Sequence, residues 1–203
     1  ANNNKYLRQH WEINKKLEVA LEASFINDRI FLTAAWYRNR SSNQLVGIPL
    51  PGTTGFPTLQ ANLGATVQNS GIELTLQTKN IQKENFNWST NINLTVARNK
   101  LLSFPGLENS TYSNQYSIGE SVNIKKLYQS TGVNPQTGVY GFVDFDGDGI
   151  ITAQGDKKII RDFTPKYYGG IQNSFSYYGI KLDFLFQFVK QQNYNYTQTL
   201  GIP

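Results

Sequence analysis

One stretch of this 203-residue sequence carries residue types at a spacing suited to coordination chemistry: Asp144-Phe145-Asp146-Gly147-Asp148-Gly149-Ile150-Ile151-Thr152. Carboxylates at the first, third and fifth places offer hard oxygen ligands. Glycine at the sixth permits a sharp turn, and the Ile150 carbonyl falls at the seventh, where calcium loops use a backbone oxygen. The twelfth place, normally a bidentate acid, is Gly155, and the next acid is Asp156, so closure requires a one-residue bulge. The expected site is a structural Ca2+ held by Asp144, Asp146, Asp148, Ile150, Thr152 and Asp156, with Ile151 packing as an anchor. Alternating carboxylates repel one another without a cation, which favours the ion over an Asp/Gly turn present for backbone reasons alone. No paired helices flank the loop, so the ion is expected to staple it rather than to switch it.

Other chemistry is hard to find. The absence of cysteine excludes disulfides, thiolate zinc sites and cysteine nucleophiles, and the single histidine, His10, argues against a Ser/His/Asp triad. Gly52 to Gly55 lacks the Gly-Lys-Ser ending of a phosphate loop, and no pair of carboxylates stands out by spacing. No enzyme is expected. The net charge of +5 comes from scattered Lys and Arg, gathered only in pairs such as Lys15-Lys16, Lys125-Lys126 and Lys157-Lys158, so no nucleic-acid partner is expected. Charged residues are 16% of the chain, against roughly 25% in ordinary soluble domains, while aromatics reach 13% and 22 Asn and 15 Gln supply polarity. That balance excludes a disordered chain. No apolar run approaches the ~18 residues of a membrane helix. The opening at Ala1, with neither a start residue nor a signal segment, reads as a processed chain or a fragment.

The elements around the acidic loop have period two. From Phe86 to Arg98, apolar Phe86, Trp88, Ile92, Leu94 and Val96 alternate with Asn87, Ser89, Asn91, Asn93 and Thr95. The pattern recurs over Leu17–Phe25, Ile72–Gln77 and Ile180–Phe188, and less cleanly over Ile30–Tyr37 and Gly169–Tyr177. The expectation is an all-β fold of about six long antiparallel strands, each with one apolar and one amide-rich face. Glu18, Glu22, Glu73, Gln77, Asn87, Asn91 and Asn93 fall on the polar side. Connections alternate: short ones near 26–29, 79–85 and 178–179, long loops at about 38–63 and 99–166. Short turns at one end and long loops at the other match an outer-membrane barrel, and the aromatics near the turns match an interfacial girdle.

A second architecture shares the alternation: a secreted, calcium-stabilised β-sandwich serving carbohydrate binding or adhesion, with the apolar face buried on a second sheet. Six strands cannot close a membrane barrel, whose smallest single-chain forms have about eight, so the barrel reading makes this chain a segment of a larger one.

The sequence also resembles the C-terminal part of the barrel of the SusC/RagA family, the TonB-dependent outer-membrane transporters of Bacteroidetes. The pieces, in order, are Trp11-Glu12 with the Leu17–Phe25 strand, Asn27-Asp28-Arg29-Ile30, Trp36-Tyr37, Pro49-Leu50-Pro51 and Thr54-Gly55-Phe56. They continue with Asn69-Ser70-Gly71-Ile72-Glu73-Leu74, Phe86-Asn87-Trp88, Asn99-Lys100, the Asp144–Gly149 stretch and Thr164-Pro165-Lys166-Tyr167-Tyr168-Gly169-Gly170. The resemblance implies that residues 1–203 are part of a 22-stranded antiparallel barrel in the outer membrane of a Gram-negative bacterium, its plug domain and first strands lying outside this sequence. It further implies a SusD-like surface lipoprotein as lid, the TonB complex as energy source, outer-membrane lipid as surroundings, and an oligosaccharide or peptide as cargo. Under that reading the loop aromatics Phe56, Tyr112, Tyr116, Tyr128 and Tyr140 are the candidates for contact with the substrate.

Overall fold

The computed structural model describes residues 11–49 and 58–194. Six long strands form one antiparallel sheet: β1 (Ile13–Phe25), β2 (Ile30–Pro49), β3 (Thr58–Gln82), β4 (Phe86–Ser103), β9 (Tyr167–Tyr177) and β10 (Ile180–Lys190), ordered β1-β2-β3-β4-β9-β10. Between β4 and β9 lie a 3-10 turn (Leu107–Asn109), four short strands, β5 (Ile124–Leu127), β6 (Ser130–Val133), β7 (Tyr140–Phe142) and β8 (Ile159–Asp162), and one turn of α-helix, α1 (Ala153–Asp156). β5 pairs with β8, and β6 with β7.

The register carries the alternation across the sheet. Leu21, Ala34, Leu74, Leu94, Gly169 and Phe188 stand in one row, and Ala23, Leu32, Leu76, Ile92, Ile171 and Phe186 in another. The intervening row is Glu22, Thr33, Thr75, Asn93, Gly170 and Gln187. Residues opposite one another share a face, so one face of the whole sheet is oil and the other is amide, hydroxyl and carboxylate. Leu21, Leu182 and Phe186 are each about 60% exposed, at 65%, 59% and 65%. A β-sandwich would bury these side chains under a second sheet. Among the described residues the buried apolar ones, Ala65, Leu101, Phe104, Leu107 and Ile124, lie at the far end of the sheet and in the loop beyond it.

The three short turns gather at one end. Ile26, Asn27 and Asp28 take left-handed backbone angles, as do Tyr178 and Gly179 in the two-residue β9–β10 turn. The Arg29 guanidinium donates to the carbonyls of Lys79 and Asn80, at 3.1 and 2.7 Å, and the Tyr178 N–H donates to the Asn85 carbonyl at 3.0 Å, tying the turns together. Trp88 stacks on Phe175 close to this edge, and Phe86 meets Tyr177 edge-on.

The reading of 38–63 as a long loop is corrected. β2 and β3 remain paired as far as Pro49 with Thr58, through a bulge between Ser42 and Gln44 where Asn43 has φ 57° and its carbonyl accepts from Asn62 Nδ2. At 25 residues β3 is far longer than the ~9–11 needed to cross a bilayer. A strand that runs past a bilayer meets water on both faces there, which would let the alternation that marks a strand in the sequence fade although the ladder continues. β4 likewise runs to Ser103, shortening the second loop to 104–166.

Candidate metal centre

The 104–166 connection is a folded unit rather than a coil. Leu107 and Phe104 pack with Leu101 and Ala65, and Tyr112 and Tyr116 close over them with ring centres 5.9 Å apart. The unit leans over the polar face of the sheet: Asn99, bonded to Asn69 across that face at 2.6 Å, accepts the Val122 N–H at 2.8 Å. Ser121, itself buried, bonds Thr164 at 3.0 Å and pins the two ends of the connection together.

Within it, Asp144, Asp146 and Asp156 each bring a carboxylate oxygen within 4.8 Å of the others. The chain wraps these carboxylates with its own amides. Asp144 accepts from the N–H groups of Gly147 at 2.7 Å and Gly149 at 2.8 Å, and both glycines hold positive φ, 74° and 81°, a conformation that costs glycine least. Asp156 has no exposed surface and accepts from the N–H groups of Phe145 and Thr152, each at 2.7 Å. Each carboxylate oxygen has two lone pairs, so these bonds leave acceptor capacity for a cation.

The one-residue bulge takes a definite form. Thr152 caps α1, its hydroxyl accepting the Gly155 N–H at 2.9 Å, and that single turn swings Asp156 into the cluster. Gly155 stands where a calcium loop has its last acid, and it supplies space instead: a Cβ there would collide with Asp146 Oδ2.

Electrostatics separate the carboxylates. The amides of Gly149 and Gly147 hold Asp144 below the usual carboxylate range. Asp146 is pushed up, first by loss of surrounding water and then by the negative charges of Asp148 and Asp156, against the opposing pull of the Asp148 N–H. Crowded hard oxygens with one carboxyl already reluctant to ionise suit a divalent cation of the calcium kind.

The remaining expected ligands fare unevenly. Asp148 stays outside the cluster; its carboxylate accepts the Ile150 N–H at 2.7 Å, closing a local turn. Thr152 serves as the cap. Ile150 and Ile151 are exposed, at 65% and 41%, so the expected anchoring by Ile151 is not found. Of the aromatic candidates, Tyr112 and Tyr116 are part of the loop core, and Tyr128 packs on Phe142 with ring centres 5.4 Å apart. Tyr140 is 54% exposed on β7, and Phe56 lies outside the described residues.

The cluster therefore sits in a loop beyond the long end of an amphipathic sheet. The TonB-dependent receptor-like, beta-barrel family matches residues 1–200. TonB-dependent receptor P26 of Formosa agariphila is 28% identical over 200 residues, covering 87% of this chain and 20% of that protein. TonB-dependent receptor SusC of Bacteroides thetaiotaomicron is 24% identical over 167 residues, covering 74% of this chain and 17% of that protein. The RagAB peptide transporter superposes with a TM-score of 0.71 at 23% identity, over 87% of this chain and 21% of that one. The chain thus spans about a fifth of the length of the relatives it matches, and they are named as receptors and transporters. It belongs to the TonB-dependent receptor-like β-barrel family, with SusC among its relatives.

Proposed function

We propose that this chain is a sector of an outer-membrane importer that takes up oligosaccharides or peptides under a SusD-like surface lipoprotein lid, with energy delivered by TonB through parts of the receptor outside this chain. The observation that carries the reading is the apolar face, uncovered across all six strands while the short turns gather at one end. In water such a face would drive aggregation, whereas in a membrane it meets lipid. The free edges of β1 and β10 support the same reading, because an open edge in hydrocarbon leaves backbone groups unpaired and calls for neighbouring strands. The Asp144, Asp146 and Asp156 cluster would hold Ca2+ as a structural staple of the outer loop, and Tyr140 offers an exposed ring to cargo or lid. A structural neighbour described as a peptide transporter supports the peptide side of that reading.

Cell fractionation tests the reading, followed by mass and calcium analysis of the polypeptide containing this segment. A detergent-extracted outer-membrane species that copurifies with a lipoprotein and carries calcium is the expected result. A soluble species of about the 23.0 kDa of this chain would overturn it and leave the sandwich-type binding module.

A further inference from the structure

The β5–β8 pair concentrates positive charge that forms no ion pair with a carboxylate among the described residues. Lys125 stands opposite Arg161 in the register, Lys126 stands opposite Ile160, and Lys157 and Lys158 precede β8. Among the described residues the only salt bridge is Lys166 with Asp162. Four of the five cations have neutral partners instead: Lys126 donates to the Ser113 carbonyl at 2.7 Å, Lys158 to the Gln154 carbonyl at 3.0 Å, and Arg161 to the Ile160 carbonyl at 3.1 Å. Lys157 lies 5.0 Å above the Tyr128 ring. Of the acids on the same segment, Asp156 belongs to the carboxylate cluster and Asp162 pairs with Lys166.

Three of these lysines, Lys125, Lys126 and Lys157, line a pocket of about 400 Å³ together with Tyr116, Tyr194 and the side-chain amides of Asn114 and Gln115. Burial, and then the charge of Lys158, hold the Lys126 ammonium below the usual lysine range. Clustered cations of this kind repel one another, and an anion among them relieves the repulsion.

From this convergence we infer that the pocket binds an acidic oligosaccharide, one bearing carboxylate or sulfate groups, through Lys125, Lys126 and Lys157, with the exposed Tyr194 offering a ring face and Asn114 and Gln115 hydrogen bonds to hydroxyls. The inference rests on the importer reading and narrows its cargo. A ring face beside amides suits a sugar, apolar on its faces and hydroxylated at its rim, better than an extended acidic peptide. The pocket belongs to the unit that bonds to the polar face of the sheet through Val122 and Asn99, the face opposite the apolar rows.

The test is calorimetric titration of the whole detergent-solubilised receptor with sulfated and uronate-bearing oligosaccharides, a neutral oligosaccharide of equal length, and an acidic peptide. The acidic oligosaccharides are expected to bind at least tenfold tighter than the neutral one. That preference should fall at least tenfold in Lys125→Gln/Lys157→Gln, while Lys181→Gln on β10 leaves it unchanged. Lys126→Gln provides a second variant, with calcium content reporting that the loop has folded. Equal binding of neutral and acidic sugars, or no effect of the lysine substitutions, overturns the anion site and leaves the importer standing. Binding of the peptide alone overturns the assignment to sugars. Failure of the importer reading itself registers separately, in the fractionation.

Discussion

The membrane sheet and the outer loop of this chain solve opposite problems. In the sheet, apolar residues face outward and the hydrogen-bond ladder carries the structure; the middle rows of β1–β4, β9 and β10 contribute nothing to a buried core. In the loop, Phe104, Leu107 and Ile124 turn inward, polar side chains bind the backbone, and short strands and two short helical turns replace long ladders. The two regions meet at Leu101 on β4, where the exposed apolar rows end and burial begins. The difference lies in the solvent each face expects. A side chain that will meet lipid has nothing to gain from burial, whereas the loop, bathed in water, must build its own interior.

The contrast breaks most sharply at Ile92. From Phe86 it lies about 20 Å along the strand and, at a tilt of about 40°, about 15 Å along the membrane normal, near mid-bilayer. Ile92→Arg is expected to cost about 2–4 kcal/mol of membrane stability, and Asn93→Arg on the polar face well under ~1 kcal/mol. Reversible unfolding from vesicles measures both. A larger penalty at Asn93 than at Ile92 would mean that the faces are assigned the wrong way round.

The same contrast explains what could be read from the sequence. Inside the bilayer two solvents act on alternate residues, so the sequence of β4 shows its period, its faces and nearly its ends. Past Arg38 on β2 both faces meet water, the pattern dissolves, and the paired stretch to Pro49 was legible only as loop. The acidic cluster divides in the same manner. Asp144 and Asp146 follow from spacing, because local amides place them. Asp156 depends on the cap at Thr152 and the clearance at Gly155, and spacing cannot distinguish that geometry from closure through Asp148. The charge around β5 and β8 was visible only as two lysine pairs, 31 positions apart between Lys126 and Lys157, which meet through the β5–β8 pairing.

A comparison within the loop sharpens the distinction between spacing and geometry. Asp156→Ala leaves the Phe145 and Thr152 amides without their acceptor and is expected to cost about 1–3 kcal/mol of local stability. Calcium content should fall with it. Asp148→Ala removes only a local turn bond to Ile150, and both readouts should stay near those of the parent. Hydrogen exchange over residues 144–156, with metal analysis, tests the pair. Equal loss of calcium in the two variants would restore Asp148 to the ligand set.

The smallest effect separates loop from sheet by acidity. Asp162 closes β8 beside the basic pocket. Burial is the strongest single influence on its carboxyl and works to raise it, but it is outweighed by the Thr164 hydroxyl and N–H and by Lys166, so the group sits below the usual carboxylate range. A depressed carboxyl stabilises the folded state once the unfolded chain would also be ionised, and that contribution is lost as pH falls through the depressed value. Protection of residues 124–127 and 159–162 should therefore hold from neutrality to the ordinary carboxylate range near ~4 and decline below it. The ion pair is partly exposed, so the change is expected to stay within about 1 kcal/mol. Asp162→Asn should flatten this component, whereas protection of the Leu21 and Leu94 rows should be unaffected by Asp162 at any pH. A decline that persists undiminished in Asp162→Asn would assign the acid sensitivity of the loop to other carboxyls.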